Sequence, residues 1–155
     1  MSGLVGGAGS KSGFVSDRLD IYAHLNNSST TYGAMTFADL EGDSTNITQD
    51  GDAVTLEKSG IYYITCSFTF TLNGNERFCL GKIMSVSGSR GTDTLAICYD
   101  EVVQTDSATS YGNAAAFFTG IFVAGDTIDF SFTSGSGANV TLRSESHASI
   151  IRMSR

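Results

Sequence analysis

From Tyr62 to Leu72 every even-numbered residue is apolar, and from Thr65 onward every odd-numbered one is Thr or Ser. Side chains alternate between the two faces of a strand, so this segment buries one face and shows the other to a polar environment. β-branched and aromatic residues fill it, and helical spacing fits it poorly. Gly60 before it and Asn73-Gly74 after it are turn residues. The pattern predicts a long central strand of an all-β core, with the rest of the chain supplying the opposing sheet.

The remaining segments read as shorter strands around it. Asp20–Leu25 and Ala34–Leu40 flank the turn Asn26-Asn27-Ser28-Ser29, and Glu41–Asp52 is a polar, acidic loop. Val54 and Leu56 mark a strand leading into the central one. Arg77–Val86 places Phe78, Leu80, Met84 and Val86 on one side, with Lys82 breaking that face. Thr92–Val103 reads as a mostly buried strand, with Leu95, Ile97 and Tyr99 in alternation. Ala114–Val123 is apolar on both faces, as a strand covered on both sides would be. Thr127–Thr133 alternates Ile128, Phe130 and Phe132 with Asp129 and Ser131. Val140–Leu142 and Ala148–Met153 complete the set. Eight to ten antiparallel strands at regular spacing, with no capped helical period, predict a jelly-roll β-sandwich over residues 17–155. Residues 1–16 read differently, as a glycine-rich arm in which only Leu4, Val5, Phe14 and Val15 offer apolar anchors. Such a segment cannot offset its ordering entropy by its own burial, so a neighbouring subunit is expected to hold it.

Composition narrows the setting. The chain has 155 residues, enough for one domain with a sizeable core. Only 16% of them are charged, and Ser, Thr, Gly and Asn take the place of charge. With 18 Gly and no Pro, the turns rely on Gly and Asn. A net charge of −7 argues against a nucleic-acid surface, and Lys11 with Arg18 and Arg152 with Arg155 read as solvated charges. No apolar window is long enough for a membrane-spanning helix, and the Gly-broken start does not read as a signal peptide. Cys66, Cys79 and Cys98 are odd in number and lack metal-ligand spacing, which fits free thiols in a reducing interior.

Candidate chemistry is sparse. His24 and His147 stand alone, and a triad or metal site requires partners that no spacing reveals. Glu41, Asp43, Asp50 and Asp52 lack the regular ligand spacing of a calcium loop, so they read as a solvated acidic stretch, as does Asp100-Glu101. The sequons at Asn27, Asn46 and Asn139 read as turn and strand residues without a secretory route. The glycines of residues 3–9 lack the strand, helix and acidic residue of a dinucleotide loop. The expectation is a protein with no cofactor, no metal and no enzymatic activity.

Three stretches carry a resemblance. Gly60-Ile61-Tyr62-Tyr63-Ile64, Gly120 to Ile128 with its internal Gly125-Asp126, and the closing Ser149-Ile150-Ile151-Arg152-Met153 resemble the tumour-necrosis-factor and complement-head superfamily of trimeric jelly rolls. The 41–52 loop departs from that pattern and no collagen repeat is present, so the ligand surfaces of secreted members do not carry over. In the resembled fold the three matching strands share one sheet, which packs around a threefold axis. Ile61, Tyr63, Phe117, Ile121, Val123, Ile151 and Met153 fall opposite the expected core face, and the resemblance implies a homotrimer built on them.

Gly9-Ser10-Lys11-Ser12-Gly13, after a glycine-rich start, resembles the beginning of short virion proteins of tailed phages. The two resemblances imply a non-enzymatic virion surface protein, assembled in the host cytoplasm. It would decorate and cement a capsid by contact with the major capsid protein or another virion protein. Leu4, Val5, Lys11, Phe14 and Val15 are the expected arm contacts. The alternative is a trimeric tail-fibre tip that binds a host glycan through loops such as Gln104–Thr109 or Ser134–Gly137. The coiled-coil heptads or β-helical repeats that usually accompany a fibre are not seen.

Overall fold

The computed structural model describes residues 17–23, 28–29, 32–34, 37–41, 46–72, 78–101, 110–134 and 140–154. The arm 1–16, and with it Leu4, Val5, Lys11, Phe14 and Val15, lies outside them, as do His24, Asp43 and the segments 102–109 and 135–139. No helix occurs among the described residues. The strands are β1 (Asp17–Ala23), β2 (Ser28–Ser29), β3 (Tyr32–Ala34), β4 (Phe37–Glu41), β5 (Ile47–Asp50), β6 (Ala53–Leu56), β7 (Gly60–Leu72), β8 (Phe78–Ser87), β9 (Asp93–Glu101), β10 (Ser110–Phe122), β11 (Asp126–Ser134), β12 (Val140–Leu142) and β13 (His147–Ser154).

They form two antiparallel sheets. In the first, β10 pairs one edge of β7, and β12 and β13 follow one another along its other edge. β2 lies outside β12, β1 outside β13, and β4 outside β1. The second runs β5-β6-β11-β8-β9, with β3 continuing the β6 lane along β11. Counting β12 with β13, β2 with β1, and β3 with β6 as shared lanes gives five lanes per sheet. This is the expected all-β jelly roll, with β7 the central strand that its period-two pattern predicts.

The core lies between the sheets. Tyr62, Ile64, Phe68 and Phe70 of β7 are fully buried, facing Phe130 and Phe132 of β11 and Ile83 of β8. Phe68 and Phe70 are near-parallel at 5.8 Å between centroids, Phe70 meets Phe132 at 6.1 Å, and Tyr62 meets Phe122 edge-on at 5.7 Å. These are favoured aromatic arrangements; the first and third order rings within one sheet, and Phe70–Phe132 joins the two layers. The Tyr62 hydroxyl donates to the Lys58 carbonyl at 2.6 Å, so its burial strands no polar atom.

Several expectations change, beginning with Ser28–Ser29, which form strand β2 rather than part of a turn. β8 turns Cys79, Gly81, Ile83 and Ser85 inward, while Leu80, Met84 and Val86 face outward. The reason is volume. A Cβ on Gly81 would collide with the Phe68 ring, so small residues on β8 accommodate large ones on β7. β9 is an edge strand, and Ile97 and Tyr99 lie on its outward face rather than in the core, which receives Cys98. Finally, Ile47–Asp50 within the acidic loop is strand β5, with Ile47 buried, and the 34–40 stretch divides between β3 and β4 in opposite sheets.

Candidate interface on the first sheet

Strand register places the apolar residues of the outer face together. Across β10, β7 and β13 the rows read Phe117–Thr65–Ser149, then Thr119–Tyr63–Ile151, then Ile121 opposite Ile61. Met153 sits where the β13 register shifts between Arg152 and Ser154. All seven residues singled out in the sequence therefore belong to one end of one sheet. Ile151 is half-buried; the exposure of the other six runs from 37% for Tyr63 to 70% for Phe117. Opposite faces of the same strands are in the core, so period-two alternation with apolar residues in both phases produces a strand that is greasy on both sides.

Below this patch, polar contacts fix the end of the sandwich. Asp126, 1% exposed, accepts from the Ser89 amide (2.6 Å) and hydroxyl (2.8 Å) and from the Val123 amide (2.8 Å). Burial opposes its ionisation, but the Val123 and Ser89 donors and the charge of Arg90 outweigh it and hold the carboxyl below its ordinary range. A Cβ at Gly88, whose φ is 98°, would collide with this carboxylate. Arg90 donates to the Ile121 carbonyl from Nε (3.2 Å) and Nη2 (2.9 Å), and its guanidinium lies 4.9 Å from the Phe122 ring centroid. Arg152 is buried rather than solvated, and its Nε and Nη2 donate to the Ser59 carbonyl at 3.2 and 2.6 Å. The backbone that carries Ile121, Val123 and Met153 is thus tied to the second sheet and to the β6–β7 turn.

The same face is polar at its other end. Asn113 and Tyr111 of β10 pair with Thr69 and Thr71, and Thr141 lies across from Thr71. The 143–146 turn between β12 and β13 is anchored to β7. Arg143 N donates to Thr69 O (2.9 Å), while the buried Ser146 hydroxyl accepts from Thr69 N (2.8 Å) and donates to Thr69 O (3.2 Å). Arg143 pairs with Glu145 through two bonds of 3.1 and 2.9 Å, and its guanidinium lies 5.1 Å from the Tyr111 ring centroid. Tyr111 and the β9 residues Ile97 and Tyr99 escaped sequence reasoning. Ile97 and Tyr99 read as core because nothing in the chain marks β9 as an edge, and Tyr111 stands just ahead of the apolar 114–123 run.

Elsewhere the chemistry is quiet. No group of three or more His, Cys, Asp or Glu among the described residues is arranged to hold a metal ion. Burial raises all three thiols, with Cys79 pushed up to about 12, so they remain protonated at neutral pH. Asp50, Gly51 and Asp52 form the β5–β6 junction, where Asp52 adds to the burial that raises the Asp129 carboxyl. Asp100 accepts from the Asn113 amide at 2.7 Å, joining β9 to β10 at the sandwich edge. His147 is exposed on β13, its Nδ1 3.4 Å from the Glu145 carbonyl.

No family model and no curated protein matches the chain. Solved structures do. Murine APRIL at pH 5.0 aligns at 15% identity and a TM-score of 0.68, over 88% of this chain and 98% of that one. Murine APRIL at pH 8.5 aligns at 14% and 0.63 over the same shares. Eiger TNF from S. frugiperda aligns at 11% and 0.64, over 88% of this chain and 92% of that one. At such identities the likeness concerns the fold, and the fold of this chain is a TNF-like jelly roll.

Proposed function

We propose that the protein is a non-enzymatic homotrimer that ornaments the outside of a phage particle and cements its shell. The observation that carries the trimer is the exposed apolar end of the β10-β7-β13 face, since a contiguous apolar patch on a globular domain marks an association surface. A threefold ring is heterologous, so each copy must also present a second surface to its neighbour. Ile97 and Tyr99, 56% and 71% exposed on β9, suit that role, because β9 meets β10 at the sandwich edge. The shell-binding part of the reading draws on the sequence of the arm 1–16 and its likeness to virion proteins.

Two measurements test this. Sedimentation of the full chain at about 10 μM, a concentration at which a specific interface of this kind is occupied, is expected to give three copies. Phe117→Arg with Ile121→Arg is expected to give a folded monomer; a monomeric wild type refutes the trimer. Deleting residues 2–15 is expected to abolish binding to empty shells, and full retention removes the arm from the mechanism.

A second reading, a trimeric fibre tip that binds host glycan, has a specific observation in its favour. Ser110 and Val140, the first residues of β10 and β12, both pair with Leu72, so two strands begin side by side at the polar end of β7. Binding of the isolated trimer to host cells, without affinity for capsids, would make this the better reading.

A further inference from the structure

We infer that the polar end of the first sheet, centred on Tyr111, Arg143 and Glu145, is a binding site for a neutral saccharide. The inference rests on the fibre-tip reading and deepens it by assigning contact residues, Tyr111 on β10 and Arg143 and Glu145 on the β12–β13 turn.

The first support is preorganisation. Arg143 and Glu145 project from a turn held by the paired bonds between Ser146 and Thr69 and by Arg143 N to Thr69 O. Their two mutual bonds bring the side chains together, with the guanidinium 5.1 Å from the Tyr111 ring centroid. The backbone of the turn is ordered before anything binds, so its ordering is not a cost of binding.

The second is chemistry. A sugar offers an apolar C–H face and neighbouring hydroxyls that both donate and accept. Tyr111 is 60% exposed, and its ring provides an apolar platform with a polar tip. The Glu145 carboxylate retains lone pairs for two hydroxyl donors, and the Arg143 guanidinium retains N–H groups for hydroxyl acceptors. The ion pair neutralises itself, and the chain carries a net charge of −7, so acidic sugars are disfavoured.

The third is placement. Thr71, opposite Tyr111, is six residues along β7 from Thr65, which lies opposite Phe117, the nearest residue of the apolar patch: about 20 Å at the strand rise of about 3.3 Å. Occupation of the polar end therefore leaves the apolar end free to associate.

The experiment uses the full chain on an array of neutral glycans ending in glucose, galactose, mannose or N-acetylglucosamine, with sialylated glycans as the acidic comparison. Wild type is expected to bind at least one neutral glycan, with an affinity insensitive to added salt. In titration against that glycan, Tyr111→Ala is expected to weaken binding about tenfold, the loss of one aromatic contact. Tyr111→Phe is expected to stay within about twofold, because the ring remains. Arg143→Met should weaken binding with an unchanged melting curve. Binding of no glycan overturns the inference together with the fibre-tip reading. Neutral-glycan binding that Tyr111→Ala leaves at wild-type affinity overturns the inference and spares that reading. So does binding confined to sialylated glycans.

Discussion

Replacing Asp126 with Asn tests whether one buried carboxylate holds the end of the sandwich together. Asp126 receives three hydrogen bonds, two from backbone amides, and is 1% exposed. An amide side chain offers one accepting oxygen and turns its NH2 toward donors that the carboxylate had satisfied. Hydrogen bonds to a charged group contribute about 1.5–3 kcal/mol each, and a stranded buried donor costs about 1–3 kcal/mol. These terms are not additive for neighbours, so the expected loss is about 3–4 kcal/mol. For a domain of this size that corresponds to a fall of about 6–16 °C in the thermal midpoint. The sign with pH follows from linkage. The folded carboxyl lies below the ordinary value of 3.8. Its contribution is therefore complete above the unfolded pKa and is lost as pH falls through the lower, folded one. Wild type should lose part of its stability below about pH 4, and Asp126→Asn should lack that component. Calorimetric melts at several pH values between 2 and 7 read both effects, with Ser89→Ala as a control that removes a single hydroxyl bond to the carboxylate, worth about 1.5–3 kcal/mol. A variant midpoint within about 2 °C of wild type at pH 7, less than 1 kcal/mol by the same scale, would refute the reasoning.

Gly81→Ala should lower the denaturant midpoint by the equivalent of about 1–3 kcal/mol, the cost of overpacking, because the new Cβ meets Phe68 across the core; an unchanged midpoint would mean that the two sheets can separate at no cost. The three buried thiols should resist a disulfide reagent at pH 8 in the native protein and react once it is unfolded in guanidinium. Stoichiometric native labelling at Cys98, the least covered of them, would show that β9 opens readily.

Periodicity was informative where the two faces of a strand differ in kind. On β7 the stretch from Thr65 alternates large apolar with Thr or Ser, so its inward face is legible without neighbours. It misled on β8, where the inward residues are Cys79, Gly81, Ile83 and Ser85. Small side chains belong there because Phe68 fills the space, and the volume that decides the matter is contributed by a residue distant in the chain. β9 failed for a related reason. Edge and centre are properties of the strand order, and Leu95, Ile97 and Tyr99 look the same in either place. Arg152 followed the same logic: a cation near the end of the chain reads as solvated until the Ser59 carbonyl of another turn lies within its reach.

The outward direction of the apolar residues was legible because it did not depend on such partners. Ile61 and Tyr63 fall out of phase with Tyr62 and Ile64 on one strand, and a residue out of phase with the core must face outward whatever lies across from it. What local sequence could not supply was the width of the patch, which requires β10 and β13 to flank β7 in the observed register. The family resemblance supplied that adjacency. Its most informative stretch, Gly125-Asp126, also has a physical role: Asp126 accepts from the Val123 amide and joins the 123–126 turn to Ser89 of the β8–β9 turn. The motif is thus the joint that fixes one end of the apolar patch. A weakened joint is expected to loosen Ile121 and Val123 before it disturbs the aromatic core, so association and stability should fail together in Asp126→Asn but separately in Phe117→Arg.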